Sequence, residues 1–388
     1  MCTALAFPAA CHQAVHPVLR LTRLVLTDFR NYTQLAWQPA ARLSVITGPN
    51  GSGKTNLLEA ISLLGPGRGF SRARIGELAR HGGSGRWAVA GRFTNGGETT
   101  DIGTGTEGPG ERRVFRLDGA EPRSQAELAA RTATIWLTPQ MDQLFQESAS
   151  GRRRFLDRLV WALEPGHARE AASHETAMAG RRRLLAAGRA DPAWLAGLEE
   201  QMARHAVALA AARRQFVARL NAAPLASDAF PRARIELADP LATQLEQAPA
   251  LAVETALRDE LARRRPADAA AGTSTLGAHR ADMRLIDDGT GLAADQASTG
   301  QQKAMLIGVI LAHAALLADQ RGFAPLLLLD EPAVHLDQSR RAALFEALLR
   351  LPAQAFLTGT DADIFGPLAN EAEFLLTGQA ALRRLADQ

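Results

Sequence analysis

The sequence predicts an α/β fold divided by a long, mainly helical insertion. Three observations carry that prediction. A Gly-rich loop, Gly48-Pro49-Asn50-Gly51-Ser52-Gly53-Lys54-Thr55, separates a buried-strand pattern from a helix pattern. Far downstream, Leu326-Leu327-Leu328-Leu329 reads as a central strand that ends in Asp330-Glu331. Between them, residues 140–265 change texture, with Ala, Arg, Leu and Glu dominant and apolar residues at helical spacing.

Taken in order, residues 1–19 read as a disordered leader. They carry no Lys or Arg, and Pro8, His12, His16 and Pro17 interrupt them, so the pattern of a signal peptide is missing. Alternation over 21–26 predicts a strand, and 43–47 a buried one; a helix follows over 54–64. Short strand-like runs at 86–93, 113–117 and 133–137, punctuated by Asn95-Gly96-Gly97, suggest an antiparallel meander. Asp191-Pro192 opens a long amphipathic helix, since an N-cap followed by proline suits a helix start. The boundaries expected are 20–139 for the first half of the nucleotide head, 140–265 for the insertion and 266–388 for the second half.

Composition narrows the class. With 388 residues, 46% apolar and 22% charged, the chain is long enough for sizeable cores. Cys2 and Cys11 are its two cysteines, too few for a disulfide framework or a Cys-rich metal site. The longest apolar run, 304–318, contains His313 and is short for a bilayer, so a soluble, cytoplasmic protein with no membrane partner is expected. His174, His205 and His313 show no metal-ligand pairing and are expected to pack or lie exposed. The net charge is +3, and of 44 basic residues only Lys54 and Lys303 are lysines. A pI near 9.3 permits a polyanionic partner without requiring one. Arg runs at 152–154, 181–183 and 263–265 invite a DNA reading. Solvated helix faces in an Arg-biased chain are the blander and favoured reading of each run.

The loop at 48–55 fits the phosphate-loop pattern of Gly, four residues, Gly-Lys-Thr. Glycines let backbone amides turn around phosphates, Lys54 reaches the β and γ oxygens, and the Thr55 hydroxyl ligates Mg2+. Asn56 continues the motif into the first helical turn, whose dipole favours anions. A nucleoside triphosphate is the ligand expected. At the C-terminal end of the leucine strand, Asp330 is expected to hold the magnesium and Glu331 to polarise the attacking water. Asp330 follows Lys54 by 276 residues, far more than a compact phosphate-loop domain needs, so the insertion divides the nucleotide fold.

Ser298-Thr299-Gly300-Gln301-Gln302-Lys303 opens the apolar helix. Alone, Ser298 reads as a plain N-cap. Beside the other motifs the loop resembles the ABC-ATPase signature, which implies that Ser298, Gly300 and Gln301 meet ATP bound to a second protomer. Asp337, in Val334-His335-Leu336-Asp337, matches that superfamily's D-loop. Gln140, after Pro139, is either a Q-loop residue touching Mg2+ and water or a helix-start residue.

More specific segments resemble the RecF family, bacterial recombination mediators among the SMC-like ABC ATPases. They are Asp28-Phe29-Arg30-Asn31-Tyr32, Arg68-Gly69-Phe70-Ser71-Arg72, Gly151-Arg152-Arg153-Arg154-Phe155-Leu156-Asp157 and Gly277-Ala278-His279-Arg280-Ala281-Asp282. The match runs from about residue 20 to the end. Ala278 and Ala281 depart from the family's Pro and Asp, which puts in doubt a role for that element beyond packing. Thr360 stands where many ABC ATPases carry a switch histidine, so slow hydrolysis is expected. For Arg30 the resemblance suggests a phosphate contact; pairing with a surface acid is the alternative. It further implies an ATP-dependent homodimer on double-stranded and gapped DNA, with RecR as partner in a pathway with RecO and RecA.

Three rivals are a transporter subunit, a chromosome organiser and a non-catalytic scaffold, the last discriminated by an ATPase assay with and without gapped DNA. The meander and long insertion argue against the first, and an arm of only about 125 residues against the second. An ABC-type ATPase with another DNA or protein target remains the alternative.

Overall fold

The computed structural model describes residues 17–71, 73–108, 112–188, 191–223, 230–378 and 380–385. Residues 1–16 of the expected leader, with both cysteines, and Arg72 lie outside these. In chain order the elements are β1 (Arg20–Phe29), β2 (Tyr32–Trp37), β3 (Leu43–Thr47), α1 (Lys54–Leu63), β4 (Ala88–Asn95), β5 (Glu98–Thr106), β6 (Arg113–Leu117), α2 (Gln125–Arg131), β7 (Thr134–Leu137) and α3 (Ala149–Leu163). There follow α4 (His167–Ala186), α5 (Pro192–Ala222), β8 (Ala233–Ala238), α6 (Pro240–Gln247), α7 (Ala250–Arg263), α8 (Arg265–Ala271), β9 (Asp282–Asp287) and α9 (Thr299–Arg321). Last come β10 (Leu326–Leu329), α10 (Gln338–Arg350), β11 (Ala355–Gly359), β12 (Ala372–Gly378) and β13 (Ala381–Arg384).

A six-stranded sheet in the order β13-β12-β3-β11-β10-β7 forms the centre, parallel except for β13. β3, β10 and β11 are buried along their whole length, as strands covered on both faces must be. Ile46, Leu326, Leu328 and Phe356 point to one side and pack with α1 and the second sheet. Val45, Leu327, Leu329 and Leu357 point to the other and pack with α3, α9 and α10. That second sheet, β2-β1-β4-β5-β6, is antiparallel throughout.

The meander expectation needs one correction. Runs 86–93 and 113–117 contribute β4 and β6, but 133–137 leaves the meander and becomes β7, parallel to β10. As the last strand of the central sheet, β7 is only half buried. Its sequence therefore alternates like a strand with one face toward water.

The insertion is mainly helical. Met202, Ala206 and Leu209 of α5 pack with Val253, Leu257 and Leu261 of α7 in a separate core. It also contains β8, which pairs antiparallel with β9 beyond residue 265. Arg181 is fully buried in this arm, bonded to Glu199, Asp268, Ser274 and the Leu261 carbonyl at 2.6–3.0 Å. α9 is the one helix among the described residues that is long and apolar enough to cross a membrane, yet 72% of its apolar window is buried within the fold. His313 lies on it, buried, with Phe216 edge-on at 5.6 Å. His174 stacks on His279 at 5.8 Å, and His205 bonds Glu170 at 2.7 Å.

Candidate nucleotide site

Strand order builds the site. β11 lies between β3, which runs into the Gly-rich loop, and β10, which runs into Asp330. Parallel registry brings Thr47 beside Gly359, and Leu329 beside both Leu357 and Leu137, so all these strands end on one edge. Ligands sit at the C-terminal edge of such sheets.

The loop itself demands its glycines. Gly48, Gly51 and Gly53 have φ of 145°, 78° and 108°. A Cβ on Gly48 would lie 2.5 Å from the Thr377 carbonyl oxygen, and one on Gly53 would strike the Asn31 amide and the Tyr32 hydroxyl. The family-like opening at 28–32 explains the second crowding. Tyr32 donates its hydroxyl to the Gly53 carbonyl at 3.1 Å, and the Asn31 amide donates to the Ser52 carbonyl at 3.2 Å. Asn56 in turn donates to the Asn31 side-chain oxygen at 2.8 Å. From β12, Thr377 bonds the Thr47 carbonyl and meets the Ser52 hydroxyl at 2.5 Å.

Lys54 is 5% exposed. Its ammonium donates to the Gly48 carbonyl at 2.6 Å and the Pro49 carbonyl at 3.0 Å. Burial lowers its pKa, opposed by the nearby Glu331 and Asp330 carboxylates. The Thr55 hydroxyl donates to Asp330 Oδ2 at 2.9 Å, joining the two motifs across 275 residues. Asp330 is 2% exposed, and burial raises its pKa although hydroxyl donors pull the other way. One donor was not foreseen from sequence. Thr358 on β11 donates to Asp330 Oδ1 at 2.6 Å and accepts the Glu331 N–H at 2.9 Å. Glu331 sits in the left-handed region, φ 51°, which such an anchor holds in place. Thr360 is exposed at the end of the next strand.

The remaining predicted residues fall in three groups. Ser298 caps α9 in a capping box with Gln301, accepting the Gln301 N–H at 3.4 Å. Gly300 packs on the D-loop, where a Cβ would come 2.6 Å from the His335 carbonyl oxygen. Asp337 caps α10 and pairs with Arg340 at 3.0 Å. Gln140 is exposed in a tight helical turn, Pro139–Gln143, just after β7. No hydrogen bond joins it to Thr55 or Asp330 among the described residues.

Arg30 is engaged within the chain. Its guanidinium is held bidentately by the buried Glu59 at 2.7 and 2.9 Å, and it also donates to the Glu77 carbonyl at 2.9 Å. The acid alternative therefore describes this structure, and a phosphate would have to displace that pair. Several of the Arg runs are likewise spent on internal pairs. Arg152 pairs with Asp282, Arg181 with Glu199 and Asp268, Arg263 and Arg264 with Glu260, and Arg265 with Glu199. Two family-like segments thus bind each other, since Arg153 donates to the Ala281 carbonyl and Arg152 pairs with Asp282.

Comparison with known proteins agrees with this geometry. The family model described as RecF/RecN/SMC N terminal domain matches residues 20–367. The DNA replication and repair protein RecF of Mesorhizobium japonicum is 47% identical over 362 residues, covering 92% of this chain and 95% of that one. That of Rhizobium etli is 45% identical over 359 residues, 91% of this chain and 96% of the other. A solved structure described as the recombination mediator protein RecF with ATPrS, in the RecFOR pathway, superposes with a TM-score of 0.83 at 21% identity, covering 96% of this chain and 99% of that one. An Smc head domain from Pyrococcus furiosus gives 0.51 at 14% identity, covering 95% and 96%, so the same head fold extends to that protein. An ATPase head of the ABC type, interrupted by a helical arm and similar in sequence over nearly its whole length to RecF proteins, places the chain: it belongs to the RecF family.

Proposed function

We propose that this chain is an ATP-dependent DNA-binding protein of recombinational repair and replication, acting in the cytoplasm. It dimerises around two ATP molecules, clamps duplex DNA near single-strand gaps and, with RecR, promotes RecA loading. Head halves 20–139 and 266–388 would carry the nucleotide, and arm 140–265 the lever between them.

The observation that carries this reading is the Thr55–Asp330 contact. It brings together a hydroxyl and a buried carboxylate from opposite ends of the chain, beside a cation held inside the loop. Hard oxygen donors of this kind fit Mg2+, which Thr55 and Asp330 would hold, with Gln140 as a third candidate. When bound, Mg2+ neutralises charge on the β and γ phosphates. The amides of Asn50 through Lys54 would face the phosphates, and Lys54 would exchange its two carbonyl partners for phosphate oxygens. Glu331 takes the proton of the attacking water. Its backbone N–H, anchored by Thr358, holds the residue in place before nucleotide arrives.

Within one chain Ser298, Gly300 and Gln301 form an exposed helix start, a suitable trans contact for a partner's γ-phosphate. Binding energy of ATP then drives dimerisation, and slow hydrolysis stimulated by DNA times release. The test is light scattering with a slowly hydrolysed ATP analogue, alongside duplex binding. Wild type should dimerise and bind. A Ser298→Arg protein that dimerises like wild type would remove the sandwich.

A further inference from the structure

A second concavity opens at the far end of α1 from the phosphate loop. The helix spans 10 residues, about 15 Å. The cleft lies between the segment that follows α1 and helices α3 and α4 of the arm, with a volume of ≈ 1660 Å³ including its mouth. Five guanidiniums line it, those of Arg68, Arg153, Arg154, Arg158 and Arg213, against two carboxylates, Asp157 and Glu175.

The charges do not cancel. Arg213 and Asp157 neutralise one another in a bidentate pair at 2.8 and 2.9 Å. Asp157 is further held by His167 at 2.8 Å. Arg158 lies over the rings of Trp136 and Phe155 at 4.9 and 5.1 Å, keeping its charge on the wall. Arg153 is half-buried, with the Ala281 carbonyl at 3.0 Å, while Arg154 has only the Ser150 hydroxyl at 3.4 Å. Among the described residues Arg68, Arg153 and Arg154 make no ion pair. Burial lowers the pKa of Arg153, the neighbouring Arg213 and Arg154 charges add to that effect, and the Asp157 and Asp282 carboxylates oppose it. Arg68, Arg153 and Arg154 thus face one exposed carboxylate, Glu175, in a chain that pairs many of its other arginines. A half-buried, uncompensated guanidinium is costly unless an anion arrives to meet it.

We propose that this cleft binds nucleic-acid backbone phosphate, with Arg68, Arg153 and Arg154 as the contact groups. The inference rests on the nucleic-acid reading above and adds where on the chain the backbone lies. Guanidinium suits the task because it meets phosphate oxygens bidentately and keeps its charge. One wall, Arg68, continues from α1; the other, Arg153 and Arg154, belongs to the arm. A backbone held here ties the arm to the end of the nucleotide helix.

The experiment uses the full chain with a slowly hydrolysed ATP analogue and a fluorescent oligonucleotide, titrated with salt. One arm uses duplex and the other single strand. Arg68→Ala combined with Arg154→Ala removes two exposed cations, and nucleotide binding reports that the fold is intact. Loss of two phosphate contacts should flatten the slope of log affinity against log salt by about 1.8 on duplex or about 1.4 on single strand. Whichever arm responds identifies the source of the backbone. Arg263→Ala with Arg264→Ala, whose charges are already paired with Glu260, should leave the slope unchanged. An Arg68/Arg154 variant with wild-type slope on both arms overturns the cleft and leaves the function standing. A wild-type protein that binds neither oligonucleotide overturns both.

Discussion

Replacing Thr358 by valine removes one hydroxyl, preserves the shape, and tests how Asp330 and Glu331 are held. That hydroxyl is fully buried, donates to Asp330 Oδ1 at 2.6 Å and accepts the Glu331 N–H at 2.9 Å. A hydrogen bond to a charged group contributes about 1.5–3 kcal/mol, and an unsatisfied buried N–H costs about 1–3 kcal/mol more. Part of this total falls on folding. The part specific to the carboxylate should weaken Mg-ATP binding by about 1.5–3 kcal/mol, roughly 10- to 150-fold. Metal-free nucleotide should bind as before, because Lys54 and the loop do not touch Thr358. The pH dependence follows from the direction of the shift. Burial raises the Asp330 pKa above 3.8, and Thr358 is among the groups lowering it. Magnesium needs the carboxylate, so its affinity falls as pH drops through that raised value. Losing Thr358 moves the decline to higher pH. For the apo protein, a raised carboxyl pKa means that stability falls as pH rises from the unfolded to the folded value. Calorimetric titration with ATP in excess Mg2+ and in chelator, at several pH values, measures all of this. Thr358→Ser should restore wild-type behaviour. Unchanged Mg-ATP affinity in Thr358→Val would refute the anchoring argument.

Lys54→Ala should lower ATP affinity at least 30-fold, since the removed ammonium is a charge-assisted donor in a partly desolvated loop; fluorescent-nucleotide titration checks it. Glu331→Gln should keep ATP binding, slow turnover and accumulate an ATP-bound dimer, seen by light scattering beside a phosphate-release assay. Arg181→Leu should destabilise the arm by about 3–5 kcal/mol, because it strands Glu199 and Asp268 in the core; urea denaturation followed by circular dichroism measures the loss.

How much of this was readable in the sequence depends on distance along the chain. The phosphate loop is local: glycines, lysine and threonine stand within eight residues, and their backbone needs are expressed in the residue types. The helical insertion and the divided head followed from texture and spacing. What escaped are contacts between remote segments that no local rule marks. Thr377 reaches Ser52 over 325 residues, Thr358 is buried by a strand order that the chain does not announce, and Tyr32 is an ordinary strand aromatic until Gly53 meets it. β7 was assigned to the meander because an edge strand of a parallel sheet alternates as a meander strand does. Arg30 and the Arg runs are hard to read for a different reason. Sequence shows a cation but not the acid that neutralises it, and Glu59 lies inside a helix whose other residues are largely apolar.

The two lysines show where sequence and structure meet. In a chain that uses arginine at 42 of 44 basic positions, both lysines are buried at the nucleotide end of the sheet. An ammonium is a compact point charge that fits among converging carbonyl oxygens, where a planar guanidinium would not. Lys54 meets the Gly48 and Pro49 carbonyls. Lys303, 1% exposed, donates to the Glu331 carbonyl at 2.9 Å and to Asp142 at 3.0 Å. It stands five residues beyond Ser298, on the first turns of α9, and Asp142 belongs to the turn that carries Gln140. One buried cation therefore joins the signature helix, the turn after β7 and the backbone of the proposed base. A shift of α9 relative to β10 must either break its bond to the Glu331 carbonyl or carry Glu331 along. In the proposed dimer, contact made at Ser298 by a second protomer would in this way reach the backbone of Glu331 in the first.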